Sequence, residues 1–189
     1  MVGQTIPPEL ARAEVVDARG ATHRLDSRWA NRDTLVVFIR HFACVGCAEH
    51  LSLLRPRLGE LAQLDVGIAI IGSGTADQLA AFVEREELEL DHVTCFTDPT
   101  LAGYRAAGLL RSVWGTFGPI ALGQAVRGYT RGFSNGRPQG DLHQQGGTLY
   151  VRQDGTLAYY HRARSLGDHA PLVDVVDVVL AERALAAAP

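Results

Sequence analysis

Five consecutive apolar residues, Leu35-Val36-Val37-Phe38-Ile39, run through Arg40-His41-Phe42-Ala43 into Cys44-Val45-Gly46-Cys47. So short an apolar run, rich in β-branched residues, predicts a strand buried on both faces. Beyond the second cysteine, Leu51, Leu54, Leu58, Leu61 and Leu64 recur every three or four positions. That spacing predicts a helix over 48–64, kinked at Pro56, where a backbone donor is missing. Strand, turn and helix together place the first thiol at a helix N-terminus, where unpaired N–H groups and the helix dipole favour a thiolate. In such settings a cysteine pKa falls from about 8.5 to roughly 3.5–7.5. The expectation is a redox-active dithiol.

Other uses of a C-x-x-C pair fit less well. Structural zinc takes four ligands, usually two close pairs, and the remaining cysteine, Cys95, stands alone. His50 extends the pattern to C-x-x-C-x-x-H, an unusual ligand set for a single helical turn. Haem attachment needs histidine directly after Cys47, where Ala48 stands. No metal and no cofactor are expected; inert packing of both cysteines stays open.

With 189 residues, 47% of them hydrophobic, the chain has material for one domain, 1–189, with a full core. A net charge of −3 gives no general attraction to nucleic acid or an anionic membrane. All 18 basic residues are arginine, which excludes lysine Schiff-base chemistry. Residues 1–10 lack the basic and apolar regions of a signal peptide, and no run approaches the ~18 apolar residues of a membrane span. A cytoplasmic location is expected, where a close cysteine pair is catalytic or metal-binding more often than structural.

The rest of the chain alternates between the two periodicities. Residues 13–25 predict a hairpin, with Trp29 packing as a plug after it. Residues 66–71 form a second apolar strand, and Thr75 caps a helix over 76–87. A strand over 92–96 carries Cys95 as a core thiol, and Asp98-Pro99 opens a helix over 100–109. Residues 110–147 form a Gly/Arg-rich insert, with Arg111, Arg127, Arg131 and Arg137 among Trp114, Phe117, Tyr129 and Phe133. A helix is expected over 119–132, and the insert is either a substrate lid or a surface excursion. A hairpin over 148–151 and 157–161 follows, then a helix over 171–188 with Leu172, Val175, Val176, Val179 and Leu180 on one side. Asp168 caps that helix. The order implies an α/β fold: a central mixed β-sheet flanked by helices, with an N-terminal β-hairpin. With the dithiol at a strand's C-terminal end, the architecture is thioredoxin-like.

Three blocks resemble the peroxiredoxin-like 2 family, also described as AhpC/TSA-like antioxidant proteins. They are Phe38-Ile39-Arg40-His41-Phe42-Ala43-Cys44-Val45-Gly46-Cys47-Ala48-Glu49-His50-Leu51; Thr97-Asp98-Pro99 with Tyr104 and Gly108; and Gly140-Asp141 with Gln145-Gly146-Gly147-Thr148, Asp154-Gly155, His161 and Gly167-Asp168-His169. The resemblance implies a thioredoxin-like fold and a thiol-dependent oxidoreductase reducing a peroxide, endoperoxide or disulfide. The P-x-x-x-[TS]-x-x-C pattern of peroxiredoxins is absent. Laid on Cys47 it meets Arg40 and Cys44, and laid on Cys44 it meets Val37 and His41. Relative to thioredoxins, Phe38 replaces the buried acid that accepts a proton from the second thiol, and Gly147 replaces the cis-proline.

The expected mechanism has Cys44 attack as thiolate and Cys47 resolve the product. Arg40 stabilises the thiolate and a departing oxyanion, with a surface ion pair as its alternative role. His41, His161 and Thr148 are candidates for proton donation or substrate binding. Expected partners are a small oxidised molecule and a thioredoxin-type or low-molecular-weight thiol reductant; the oligomeric state is open, a homodimer included. Two other readings stand beside this one: a specialised biosynthetic enzyme using the same dithiol on one metabolite, and a non-catalytic binding or redox-sensing protein.

Overall fold

A computed structural model describes residues 2–132 and 139–186. A single turn, α1 (Pro8–Ala11), leads into the hairpin β1 (Glu14–Val16) and β2 (Thr22–Arg24). Asp17 shapes its turn: Oδ1 accepts the backbone N–H groups of Arg19 and Ala21, each at 2.9 Å. The apolar run becomes β3 (Thr34–Phe38), followed by α2 (Val45–Leu54) and α3 (Leu58–Gln63). Pro56 does more than kink the expected helix. It splits it at a 3-10 turn, Arg55–Arg57, because proline cannot donate to the ladder and its ring crowds the preceding turn. Leu54, Leu58 and Leu61 stay buried on either side of the break.

Next come β4 (Gly67–Gly72) and α4 (Ala76–Arg85), which begins as expected at Thr75. Thr75 Oγ1 accepts from Gln78 N–H at 3.3 Å while Gln78 Oε1 accepts from Thr75 N–H at 3.0 Å, a reciprocal cap. β5 (Val93–Thr97) leads to a shorter helix than predicted, α5 (Ala102–Ala106). Leu101 takes a left-handed φ of 58°, and the fully buried Asp98 collects the N–H groups of Ala102 and Gly103 at 3.2 and 2.7 Å. The insert contributes α6 (Trp114–Phe117), which the sequence did not predict, and α7 (Pro119–Thr130), which it did. Phe133 and Arg137 lie outside the described residues. β6 (Gly147–Val151), β7 (Leu157–Arg162) and α8 (Leu172–Ala186) complete the chain.

The seven strands run β2-β1-β5-β4-β3-β6-β7. β3, β4 and β5 are parallel and the remaining pairs antiparallel, the mixed sheet expected. β3 sits between β4 and β6, and its alternate residues feed two cores. Leu35 and Val37 join α2, α3 and α8 on one face, while Val36 and Phe38 join Trp29, Tyr104 and the N-terminal segment on the other. That is why the run has no polar face: each such side chain contributes about 1.5–3 kcal/mol by leaving water. In α8, Val175 and Val179 are buried, whereas Leu180, assigned to the packed side, is 49% exposed. Asp168 does not cap this helix, which starts four residues later; it accepts the backbone N–H of Arg164 at 2.8 Å.

Candidate active site

β3 ends at Phe38, and the chain then turns to place Cys44 at the N-cap of α2 and Cys47 in its first turn. Both are free thiols and both are 3% exposed, so Cys47 is not the more deeply buried of the two, contrary to expectation. The Cys47 sulfur accepts the backbone N–H of Arg40 at 3.3 Å. The Cys44 sulfur makes no capping hydrogen bond in good geometry, yet the nearby amides of Gly46 and Cys47 favour its charged form.

Arg40 is 2% exposed. Its Nη1 lies 3.7 Å from the Cys44 sulfur, Nε donates to Gln144 O at 3.1 Å, and Nη2 donates to Thr116 Oγ1 at 2.8 Å and to Leu142 O. The surface ion pair is therefore excluded. Among the described residues no carboxylate pairs with this guanidinium, whose partners are neutral oxygens and one sulfur. A buried cation without an acid is costly, and a thiolate at Cys44 offsets that cost.

The two sulfurs consequently titrate apart. The Cys44 thiol is lowered from its ordinary value, first by the hydrogen bond from Cys47, then by Arg40 and the two amides, all acting against burial. Burial, and then the neighbouring Cys44, raises Cys47 well above the usual thiol range. Of the two, Cys44 is the sulfur favoured to carry negative charge and Cys47 the one favoured to keep its proton.

Each sulfur faces different surroundings. On the Cys44 side lies a cleft of about 350 Å³ lined by Arg40, His41, Thr116, Phe117, Ala121, Leu122, Ala125, Tyr129, Leu142 and Leu166. Its polar corner is the guanidinium, the sulfur and the Thr116 hydroxyl; its walls are mostly apolar. The insert forms much of it. α7 packs on α2 with Gly128 against Val45, where an added Cβ would sit 2.8 Å from Val45 Cγ2. Glu49, buried on α2, receives Arg131 Nη1 and, at 3.4 Å, Arg127 Nη2. His41 lies in this cleft. Burial, then Arg40, lowers it to about 4, and its Nδ1 accepts the Ala43 N–H at 3.3 Å. It is a neutral ring with Nε2–H free to donate.

On the Cys47 side, a narrow, partly open pocket of about 10 Å³ is lined by Cys47, His50, Thr148, His161, Asp168 and His169, among others. Thr148 and His161 face each other across β6 and β7. His50 and His169 stack with centroids 4.4 Å apart. Among the described residues no three His, Cys, Asp or Glu side chains form a metal-binding group, Cys44, Cys47 and His50 included.

Arg40, Cys44 and Cys47, named together from the sequence, lie in contact, whereas Thr116, Glu49, Asp168 and His169 were not expected as neighbours of the site. Thr116 and Leu142 lie 76 and 102 residues from Arg40, and no local pattern links them. His50 and His169 carried a weak signal, the first in C-x-x-C-x-x-H and the second in Gly-Asp-His.

A family model described as AhpC/TSA antioxidant enzyme matches residues 53–165, more than half of the chain. The chain belongs to this family. The match begins beyond both cysteines, so it rests on the later strands, the insert and β6–β7. Among curated relatives, the chloroplastic thioredoxin-like protein AAED1 of Arabidopsis thaliana is 26% identical over 93% of this chain and 73% of its own length. The peroxiredoxin-like 2C protein of Mus musculus is 28% identical over 94% and 81%. The prostamide/prostaglandin F synthase of Salmo salar is 30% identical over 82% and 78%. The fold is that of a reduced peroxiredoxin from Vibrio vulnificus solved with hydrogen peroxide, at a TM-score of 0.66, 15% identity and coverage of 94% of this chain and 98% of that one. This AhpC/TSA protein is thus a peroxiredoxin-like member of the thioredoxin superfamily. None of its described helices is long and apolar enough to cross a membrane.

Proposed function

We propose that this protein is a thiol-dependent oxidoreductase that reduces an organic peroxide or endoperoxide with the Cys44/Cys47 pair. The observation that carries the reading is Arg40: a buried guanidinium without a carboxylate partner, 3.7 Å from a sulfur whose thiol is acidified. With a hydroperoxide, Cys44 thiolate attacks the terminal oxygen and the O–O bond breaks; the leaving alkoxide, stabilised by Arg40, takes a proton and departs as alcohol, leaving Cys44 as a sulfenic acid. With an endoperoxide, the sulfur stays bonded to one ring oxygen as a sulfenate ester while the other oxygen takes a proton. Cys47 then attacks that sulfur, closing the Cys44–Cys47 disulfide and releasing water from the sulfenic acid or the diol from the ester. A thioredoxin-type or low-molecular-weight dithiol restores both thiols.

Several features support the substrate class. The Thr116 hydroxyl stands beside Arg40 at the cleft corner, where it accepts from the guanidinium and turns its proton to the Leu142 or Ser112 carbonyl, which fixes Arg40 against the cleft. The mostly apolar walls favour an organic peroxide over hydrogen peroxide. Cys44 is 3% exposed, so a small substrate reaches it more readily than a folded protein does, and a thioredoxin-type reductant needs the insert to move. Among relatives, a prostamide/prostaglandin F synthase points towards lipid endoperoxides. His41 donates a hydrogen bond in the cleft, whereas Thr148 and His161 serve the Cys47 side.

The test is mass spectrometry of the reduced protein after separate exposure to hydrogen peroxide, an organic hydroperoxide and a small disulfide. The reading predicts fastest conversion to the intramolecular disulfide with the organic hydroperoxide, and a sulfenic acid on Cys44 in Cys47→Ser. An adduct confined to Cys47 in Cys44→Ser would reverse the assignment, and no oxidation of either thiol would leave the non-catalytic binding reading.

A further inference from the structure

Cys47 cannot resolve anything while it keeps its proton, and in this protein the thioredoxin-type acid is replaced by Phe38. Of the ionisable groups around Cys47, Arg40 is already a cation and Cys44 is consumed as the sulfenic acid. Tyr104 donates its hydroxyl to the Ile39 and Ile71 carbonyls at 2.6 and 3.0 Å, and burial holds its own proton firmly. What remains lines the narrow pocket: His50, His161, His169 and Asp168.

Two ring nitrogens there are unusual. Nε2 of His161 and Nε2 of His169 are buried without a hydrogen-bond partner among the described residues, a condition costing on the order of 1–3 kcal/mol each. His161 Nε2 is 3.2 Å from Asp168 Oδ1, within ion-pair reach but not aligned as a hydrogen bond. A proton at that nitrogen converts an unpaired atom into a charge-assisted contact. Burial holds His50 near about 3 and His169 near about 4, so both are neutral at neutral pH, but neither has a carboxylate beside it to hold a positive charge. A pocket of about 10 Å³ is at the lower limit for one water, which needs two or more polar partners. Cys47, His161 and His169 all line it.

We propose that the His161–Asp168 pair, with His169 beside it, is the proton acceptor and donor for Cys47, reached through one water. The assignment rests on the dithiol reading above. During resolution the Cys47 thiol proton passes to His161 as the S–S bond forms, the S–O bond breaks and hydroxide leaves. The imidazolium then surrenders its proton, so that water is the net product. During recycling an external thiolate attacks the Cys44 sulfur, the S–S bond breaks, and Cys47 leaves as thiolate and regains a proton from His161.

The second half can be measured without any peroxide. The full-length protein is oxidised to the Cys44–Cys47 disulfide with oxidised dithiothreitol, and its reduction by dithiothreitol is timed across the range where histidine titrates, about pH 5 to 8. Rates are expressed per reductant thiolate. Wild type should be reduced faster towards the acidic end of that range. His161→Gln and Asp168→Asn should each flatten that pH dependence and slow reduction on the order of 100-fold at its acidic end; His169→Gln should have a smaller effect. Asp168→Asn leaves the ring in place, so its result stands even if His161→Gln folds poorly. A titration that persists in both variants, or rates within twofold of wild type, overturns the proposal, because a merely structural role lowers the rate without removing the pH dependence. A wild-type protein that reduces no peroxide but keeps the histidine-dependent titration overturns the substrate reading alone. Failure to form the disulfide at all overturns both.

Discussion

Cys44 and Cys47 stand one helical turn apart, are equally buried, and bind protons with opposite strength. Cys44 faces a guanidinium, two amides and a cleft walled by the insert. Cys47 faces its partner sulfur, one backbone N–H and a narrow pocket edged by histidines. Exposure therefore does not separate the two thiols. Their partners do: the hydrogen bond from Cys47 and then Arg40 favour charge on Cys44, whereas burial and the neighbouring Cys44 hold the proton on Cys47.

The largest expected effect separates the two sides outright. Cys44→Ser should abolish peroxide turnover, whereas Cys47→Ser should still consume one equivalent and stop at the sulfenic acid, as counted in a single-turnover assay. Removing the charge that distinguishes them comes next. Arg40→Leu should raise the Cys44 pKa, followed by thiolate absorbance, and lower the rate of Cys44 oxidation on the order of 100- to 1,000-fold. An unchanged thiol pKa in that variant would erase the proposed asymmetry.

The histidines offer a third test. Folded His41 and His169 titrate at about 4 and His50 at about 3, all lowered chiefly by burial. In the unfolded chain each binds a proton at about 6.5. Between those values the unfolded state binds more protons, so stability is full above about pH 6.5 and falls as pH drops, each ring adding a slope of up to about 1.4 kcal/mol per pH unit. Urea midpoints measured down the pH scale should fall steeply, and His50→Leu should flatten the fall. An equal slope in the variant would show that this ring is not held neutral by the fold.

Smaller effects sharpen the Cys44 side. Thr116→Val should cut organic-peroxide turnover by about tenfold, the equivalent of about 1.4 kcal/mol, while leaving the Cys44 pKa near its wild-type value. Glu49→Gln should cost about 1 kcal/mol or less in denaturant midpoint, because Arg127 and Arg131 remain half-exposed and hydrated. Its signature should be a raised KM, since it loosens α7 from α2.

The fold was legible wherever local pattern decides it. The run ending at Ile39 announced a doubly buried strand, Thr75 announced a capped helix, and the alternation of elements announced a mixed sheet. Local pattern failed where a distant partner overrides it. Asp98 shortens α5 by gathering N–H groups after a left-handed Leu101, and Leu180 is exposed although its spacing matches that of Val175 and Val179. The site divides the same way. The dithiol and Arg40 are contiguous in sequence and were found together. Thr116, the Leu142 carbonyl and the Asp168 carboxylate reach the site only through tertiary packing, and a residue's type does not reveal which loop will come to rest beside it.

The occlusion of Cys44 separates two properties that exposed thiols inherit together. On the proposed reading, how hard the sulfur attacks depends on Arg40 and the start of α2, whereas what arrives at it depends on Phe117, Leu122 and Tyr129, which line the cleft from the insert. Mutation can redraw the guest list at those three positions without touching the reactive centre. Descendants of such a scaffold are free to change diet while keeping the same teeth.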